Sequence, residues 1–125
     1  MEGLEWAFLC EYALVDKANK LSMIGEFTSV YLKRFPAAMP LMYVVTRWRG
    51  TVGTTFTETV TIATSDSQTV AKSSIPVVEF KTERITSVHK FELLRLPSPG
   101  EYSVLVFHGE QQVGKERFFA RSQGE

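Results

Sequence analysis

The side chains able to do chemistry in this chain are few. Cys10 is the single cysteine, and His89 and His108 are the two histidines. A catalytic cysteine needs a thiolate, and so a base or a positive environment, usually on an exposed loop or at a helix start. Cys10 instead stands inside "LEWAFLCEYALV", sharing parity with Trp6, Phe8 and Tyr12 in a segment of period two. That spacing assigns the thiol to packing on an apolar face. Glu11 points to the opposite face and cannot serve as its base.

The histidines depend on how the chain turns between them. If "PSPG" closes a hairpin that pairs Leu96 with Glu101, His89 falls opposite His108. Two cross-strand histidines can share a metal or form a pH-sensitive pair. If the chain crosses between sheets there, that pairing does not exist. His89 and His108 are the only metal-ligand candidates, and no His-x-His or Cys-x-x-Cys spacing supplies a third ligand. No metal and no other cofactor is expected.

Carboxylates are scattered at Glu11, Glu26, Glu58, Glu79, Glu83, Glu92 and Glu101. A hydrolytic pair meets in space and leaves no spacing to read. No nucleophile elbow, P-loop or dinucleotide fingerprint occurs. "GTVGTT" lacks the lysine and helix of a phosphate cradle and reads as a hairpin turn. "TRWRG" places Arg47, Trp48 and Arg49 together, residue types enriched at binding hot spots. These three form the candidate binding surface. The alternative is a strand end with Trp48 in the core and the arginines solvated.

The elements that must position these residues are strands. Leu4–Ala13 alternates, "VDKANK" turns, and a second strand runs from Lys20 to Lys33 with Gly25 at a bulge or bend. Pro36 and Pro40 bracket a connection expected to lie outside any sheet. "LMYVVTRW" is apolar on both parities, as in a strand covered on both faces. In "TFTETVTIAT", Phe56, Val60 and Ile62 face one way and the threonines the other. A strand near Val70 and another through "IPVVEF" follow, the latter marked as an edge by Pro76. "RITSVHKFELLRL", "EYSVLVF" and "VGKERFFA" complete the set. Within the first of these, Ser87–Arg95 also fits helical spacing at Val88, Phe91 and Leu94. The fold class is an all-β, immunoglobulin-like antiparallel sandwich of about 7–9 strands, forming a single domain over residues 1–125. Its core includes Trp6, Phe8, Tyr102, Val104 and Val106.

Two resemblances accompany this reading. "SPGEYSV", with Gly100 before Tyr102, resembles the tyrosine corner of immunoglobulin-like domains. Ser98 stands where that motif usually has aspartate, and no cysteine follows the tyrosine. "LCEYA", "KLSMIGEF", a proline-bounded gap and "LPSPGEYSVLVF" together resemble a family of small uncharacterised bacterial single-domain β-sandwich proteins. That resemblance implies a fold and no activity.

Composition bounds the function classes. Lysine plus arginine equals aspartate plus glutamate at 14 each, so no global field draws the chain to nucleic acid or an anionic membrane. One cysteine forms no internal disulfide, the N-terminal segment lacks the order of a signal peptide, and no apolar run spans a bilayer. The expectation is a cytoplasmic, non-enzymatic protein-interaction or accessory module with an unidentified protein partner. A homodimer through an edge strand fits the same reading. The alternatives are a small-ligand-binding or hydrolytic protein with a pocket near Tyr43, Trp48 and His108, and a structural component of a phage or secretion-type assembly.

Overall fold

A computed structural model describes residues 3–123, among which there are nine strands and no helix. The strands are β1 (Gly3–Val15), β2 (Leu21–Glu26), β3 (Ser29–Leu32), β4 (Ala37–Arg49), β5 (Thr55–Thr64), β6 (Thr69–Glu79), β7 (Arg84–Leu96), β8 (Gly100–His108) and β9 (Gln111–Ser122). They form two sheets, ordered β2-β1-β4-β7 and β3-β9-β8-β5-β6. All pairings are antiparallel except β3 with β9, which is parallel.

Turn chemistry accounts for the β1–β2 hairpin. The Lys20 N–H donates to the Asp16 carboxylate at 2.9 Å, and Asn19 takes the left-handed conformation at φ 63°. Gly25, at φ 73°, stands just before β2 ends, and the Glu11 side chain lies where its Cβ would be. The chain then leaves the four-stranded sheet, and β3 joins the other. The single strand expected over Lys20–Lys33 is therefore two strands in different sheets.

Three connections also depart from their sequence reading. Pro40 lies inside β4, because β1 pairing ends at Cys10–Tyr43 and leaves the proline's β1 side without a partner strand. The "GTVGTT" turn crosses from one sheet to the other and closes no hairpin, with the Gly53 N–H donating to the Phe80 carbonyl at 2.8 Å. The strands expected near Val70 and through Pro76 are one continuous β6, and Pro76 does lie on a sheet edge.

Ser87–Arg95 is strand, not helix. Leu93 adopts φ 52°, which shifts the strand's phase, so that Phe91 and Leu94 both face the interior. Their three-residue spacing imitates a helix for that reason. Between β7 and β8 the chain crosses sheets. The Tyr102 O–H donates to the Ser98 carbonyl at 2.5 Å, and the Ser98 N–H returns to the same phenol oxygen at 3.3 Å. This is a tyrosine corner. It is built on the Ser98 backbone, so the missing aspartate does not disturb it.

The core lies between the sheets. Trp48, Tyr102, Phe118, Met42, Ile62 and Leu96 are its largest fully buried side chains. Burying each such side chain contributes about 1.5–3 kcal/mol over leaving it exposed. Tyr102, Val104 and Val106 are in this core, as their alternation indicates. Trp6 and Phe8 are not. On β1 the inward side chains are Ala7 and Leu9, while Phe8 is 38% exposed. The more aromatic face of β1 points away from the core.

Candidate functional site

Two arrangements stand out, one inside the sandwich and one on it. The first is a buried polar cluster that links four strands. Trp48 Nε1 donates to Thr46 Oγ1 at 3.0 Å, and the Thr46 hydroxyl donates to Glu58 Oε2. His89 Nε2 stands 3.0 Å from that same carboxylate oxygen. On the other side of the ring, Nδ1 is 2.9 Å from Ser73 Oγ. Thr46 and Trp48 come from β4, Glu58 from β5, Ser73 from β6 and His89 from β7, so the cluster ties the two sheets together.

Neither the Glu58 nor the His89 side chain is exposed. Glu58 Oε1 has no hydrogen-bond partner. Burial is the largest single influence and pushes the Glu58 carboxyl up, while the hydrogen bond and attraction of the neighbouring His89 ring pull it down. With contributions from the Thr46 and Ser87 hydroxyls, the group ends below its ordinary value. Serine–histidine–glutamate is the order of a hydrolytic triad. A triad works only where a substrate carbonyl can reach the serine. Here Ser73 is half-buried on β6 and engaged with a ring wholly inside the sandwich. The arrangement acts as an inter-sheet tie.

Parity shows where the histidines go. His89 shares its face with Ser87 and Phe91, all buried. His108 lies in the other sheet, where β8 pairs with β5 and β9, so the two histidines are not cross-strand partners. The His108 ring stacks on Phe56 with centroids 4.4 Å apart and planes at 4°. Among the described residues, no three of His, Cys, Asp and Glu gather as metal ligands.

Glu58 is one of the carboxylates scattered along the sequence. Its signal was present: it shares parity with Phe56, Val60 and Ile62, all buried. A carboxylate on a core face demands a partner.

The second arrangement is the outer face of the four-stranded sheet. Register places Phe8 opposite Val45, Cys10 opposite Tyr43, Tyr12 opposite Ile24 and Val45 opposite Val88. Trp6 and Phe8 rings meet at 4.9 Å, and Tyr12 and Tyr43 at 5.5 Å edge to face. No other layer covers this face among the described residues, and it leaves Phe8 at 38%, Tyr12 at 42% and Ile24 at 62% exposed. Contiguous apolar exposure of this kind marks interaction surfaces.

Cys10 lies under this face, wholly buried among its neighbours. Burial pushes its thiol up from the ordinary value, Glu26 adds to that, and the contact of Sγ with the Tyr12 carbonyl at 3.4 Å opposes it. It is a packing residue.

The candidate surface of Arg47, Trp48 and Arg49 does not hold as a unit. Trp48 points inward and is fully buried, its ring 4.6 Å from that of Phe56 and tilted 55° to it. Alternation puts Arg47 and Arg49 on the outer face. There Arg47 lies 5.0 Å over the Trp6 ring and donates from Nε to Thr86 Oγ1 at 3.0 Å. The supposed pocket of Tyr43, Trp48 and His108 also divides. Trp48 and His108 line a cleft of about 380 Å³ with Phe56 and Phe80. Tyr43 is on the far side of the sheet.

Two sheets, a tyrosine corner and a core between them define an all-β, immunoglobulin-like sandwich. The chain belongs to a family of unknown function, DUF6941, whose model matches residues 5–120. No curated protein matches it. Among solved structures it is similar to an immunoglobulin-like protein from Pseudomonas aeruginosa, at 18% identity and TM-score 0.47, over 90% of this chain and 91% of that one. It is also similar to the alkylpurine DNA glycosylase AlkC of Pseudomonas fluorescens, at 10% identity and TM-score 0.51, over 92% of this chain and 30% of that one. A β-glucosidase from Listeria innocua matches at 10% identity and TM-score 0.49, over 98% of this chain and 16% of that one. At these identities the likeness concerns fold alone. Among the described residues, no helix is long and apolar enough to cross a membrane.

Proposed function

We propose that this protein is a non-catalytic, cytoplasmic binding module that docks a protein chain on the outer face of its four-stranded sheet. The observation that supports this is the exposure of Phe8, Tyr12 and Ile24 on one continuous apolar face. A sheet face that only packs against water is ordinarily polar on alternate residues. This one is aromatic where it should be polar, with a charged rim at Arg47, Glu92 and Lys90. Rigid aromatics inside a polar rim are the composition of a protein interface.

The test is affinity capture from native cytosol with the wild type and with Phe8→Asp, after checking that both melt at the same temperature. The expected result is a retained chain that Phe8→Asp loses. Identical captures from both proteins overturn the reading.

The cleft beside Trp48 supports a second reading, as a small-ligand site. His108 stacked on Phe56, with Gln111 also lining the cleft, offers an apolar floor and polar groups to orient a small planar ligand. Titration with small aromatic carboxylates, followed by tryptophan fluorescence, tests it. A saturable change lost in His108→Ala supports the site, and no change at millimolar ligand removes it.

A further inference from the structure

The charges around the apolar face are unevenly placed, and their placement identifies what covers it. We infer that a second copy of this chain packs there, face to face, about a two-fold axis running across the strands at the level of Val88. The inference rests on the reading of this face as a binding surface and names its occupant.

At one end of the face Arg49 and Arg84 are directly opposite each other across β4 and β7, with Arg47 one row further in. Like charges directly opposite on a sheet repel. One carboxylate answers them, Glu5, 3.3 Å from Arg84 Nε. At the other end Glu92 pairs with Leu41 and Glu26 with Cys10, and one lysine, Lys90, reaches Glu92 at 3.4 Å. The face is thus basic at one end and acidic at the other, with aromatic side chains between. A partner of one sign would complement only half of it.

A two-fold contact joins a surface to itself, so each residue i that meets j is matched by j meeting i. An axis across the strands reverses strand direction and sets the basic end of each copy on the acidic end of the other. Arg84 and Glu92 stand four residues to either side of Val88 on the outer side of β7. The same rotation therefore brings Arg84 of each copy to Glu92 of its mate, twice per dimer. Phe8, in register with Val45 and Val88, falls near the axis. An axis along the strands would instead set arginines on arginines. Two of the four sheet edges, β6 and β7, are poorer routes to a dimer. β6 carries Pro76, and β7 is broken in phase at Leu93, and both features blunt an edge.

The experiment is sedimentation equilibrium of the wild type, Phe8→Asp, Arg84→Glu and the double swap Arg84→Glu/Glu92→Arg, with circular dichroism to confirm the fold of each. The wild type is expected at double the monomer mass and Phe8→Asp as a monomer. Arg84→Glu should weaken association about tenfold, and the double swap should restore it. A wild type that stays monomeric overturns the inference, as does a dimer indifferent to Phe8→Asp. A monomeric wild type whose captured protein partner is lost in Phe8→Asp overturns this inference alone and leaves the face as a binding surface. A dimer weakened by Phe8→Asp but not restored by the swap overturns the two-fold orientation.

Discussion

Glu58 and His89 face each other 3.0 Å apart between the two sheets, with neither side chain reaching solvent. Each comes from a different sheet; the Ser73 hydroxyl holds the ring on its far side, and the Thr46 hydroxyl donates to the same carboxylate oxygen that faces the ring. A buried pair of this kind contributes little net stability against an apolar substitute of equal shape. Breaking it by removing one partner is costly. Because the two groups come from different sheets, a change in how the sheets align would part them.

Removal of one partner is the first prediction. Glu58→Ala should cost about 3–5 kcal/mol, because it leaves His89 buried without its carboxylate. Urea unfolding of Glu58→Ala, His89→Ala and the double variant measures it. The double variant should lose much less than the two single losses combined.

The pair also sets an acid limb. Glu58 is held below its ordinary value in the folded state, so the unfolded chain binds its proton first as pH falls. The stability Glu58 contributes is fully present above the usual carboxylate range, about pH 4.3. It is lost as pH drops through the folded value. A urea midpoint series from neutral pH into acid should fall more steeply for the wild type than for Glu58→Gln. Parallel curves would remove Glu58 from the acid limb.

On β1 the prediction follows from which face is inward. Phe8→Ala should cost about 1 kcal/mol or less, the scale of a surface change. Phe118→Ala, in the core, should cost about 3–5 kcal/mol. The same urea experiment, run at a concentration low enough for the chain to be monomeric, ranks them, and equal losses would mean that Phe8 is packed inside the protomer.

The buried thiol gives a kinetic prediction. Cys10 has no exposed surface and its pKa is raised by burial. Thiol-reactive probes should label the native protein far more slowly than free cysteine, and at the same rate once urea unfolds it. Native labelling as fast as free cysteine would show an open face.

The corner offers a last test. Tyr102→Phe removes the hydroxyl that bonds the Ser98 backbone in both directions. The loss should be about 1–2 kcal/mol, for two backbone groups that lose their partner, read from thermal or urea unfolding.

Much of the architecture was legible from the residues alone. Period-two alternation marked the strands, Asp16 and Asn19 marked the first turn, and Gly100 with Tyr102 marked the corner. These are local signals, set by the pleat and by backbone conformation, and they need no knowledge of what lies across the core. Alternation also separated Phe8 and Cys10 from Ala7 and Leu9. It did not say which set faced inward. That was decided by the second sheet, which packs on the smaller side chains of β1 and leaves the aromatic ones outside. In the same way, the sequence placed Glu58 on the parity of Phe56 and Val60, and His89 on that of Phe91. Only the stacking of one sheet on the other brought the two groups together, because β5 and β7 share no hydrogen bond and meet solely through the core.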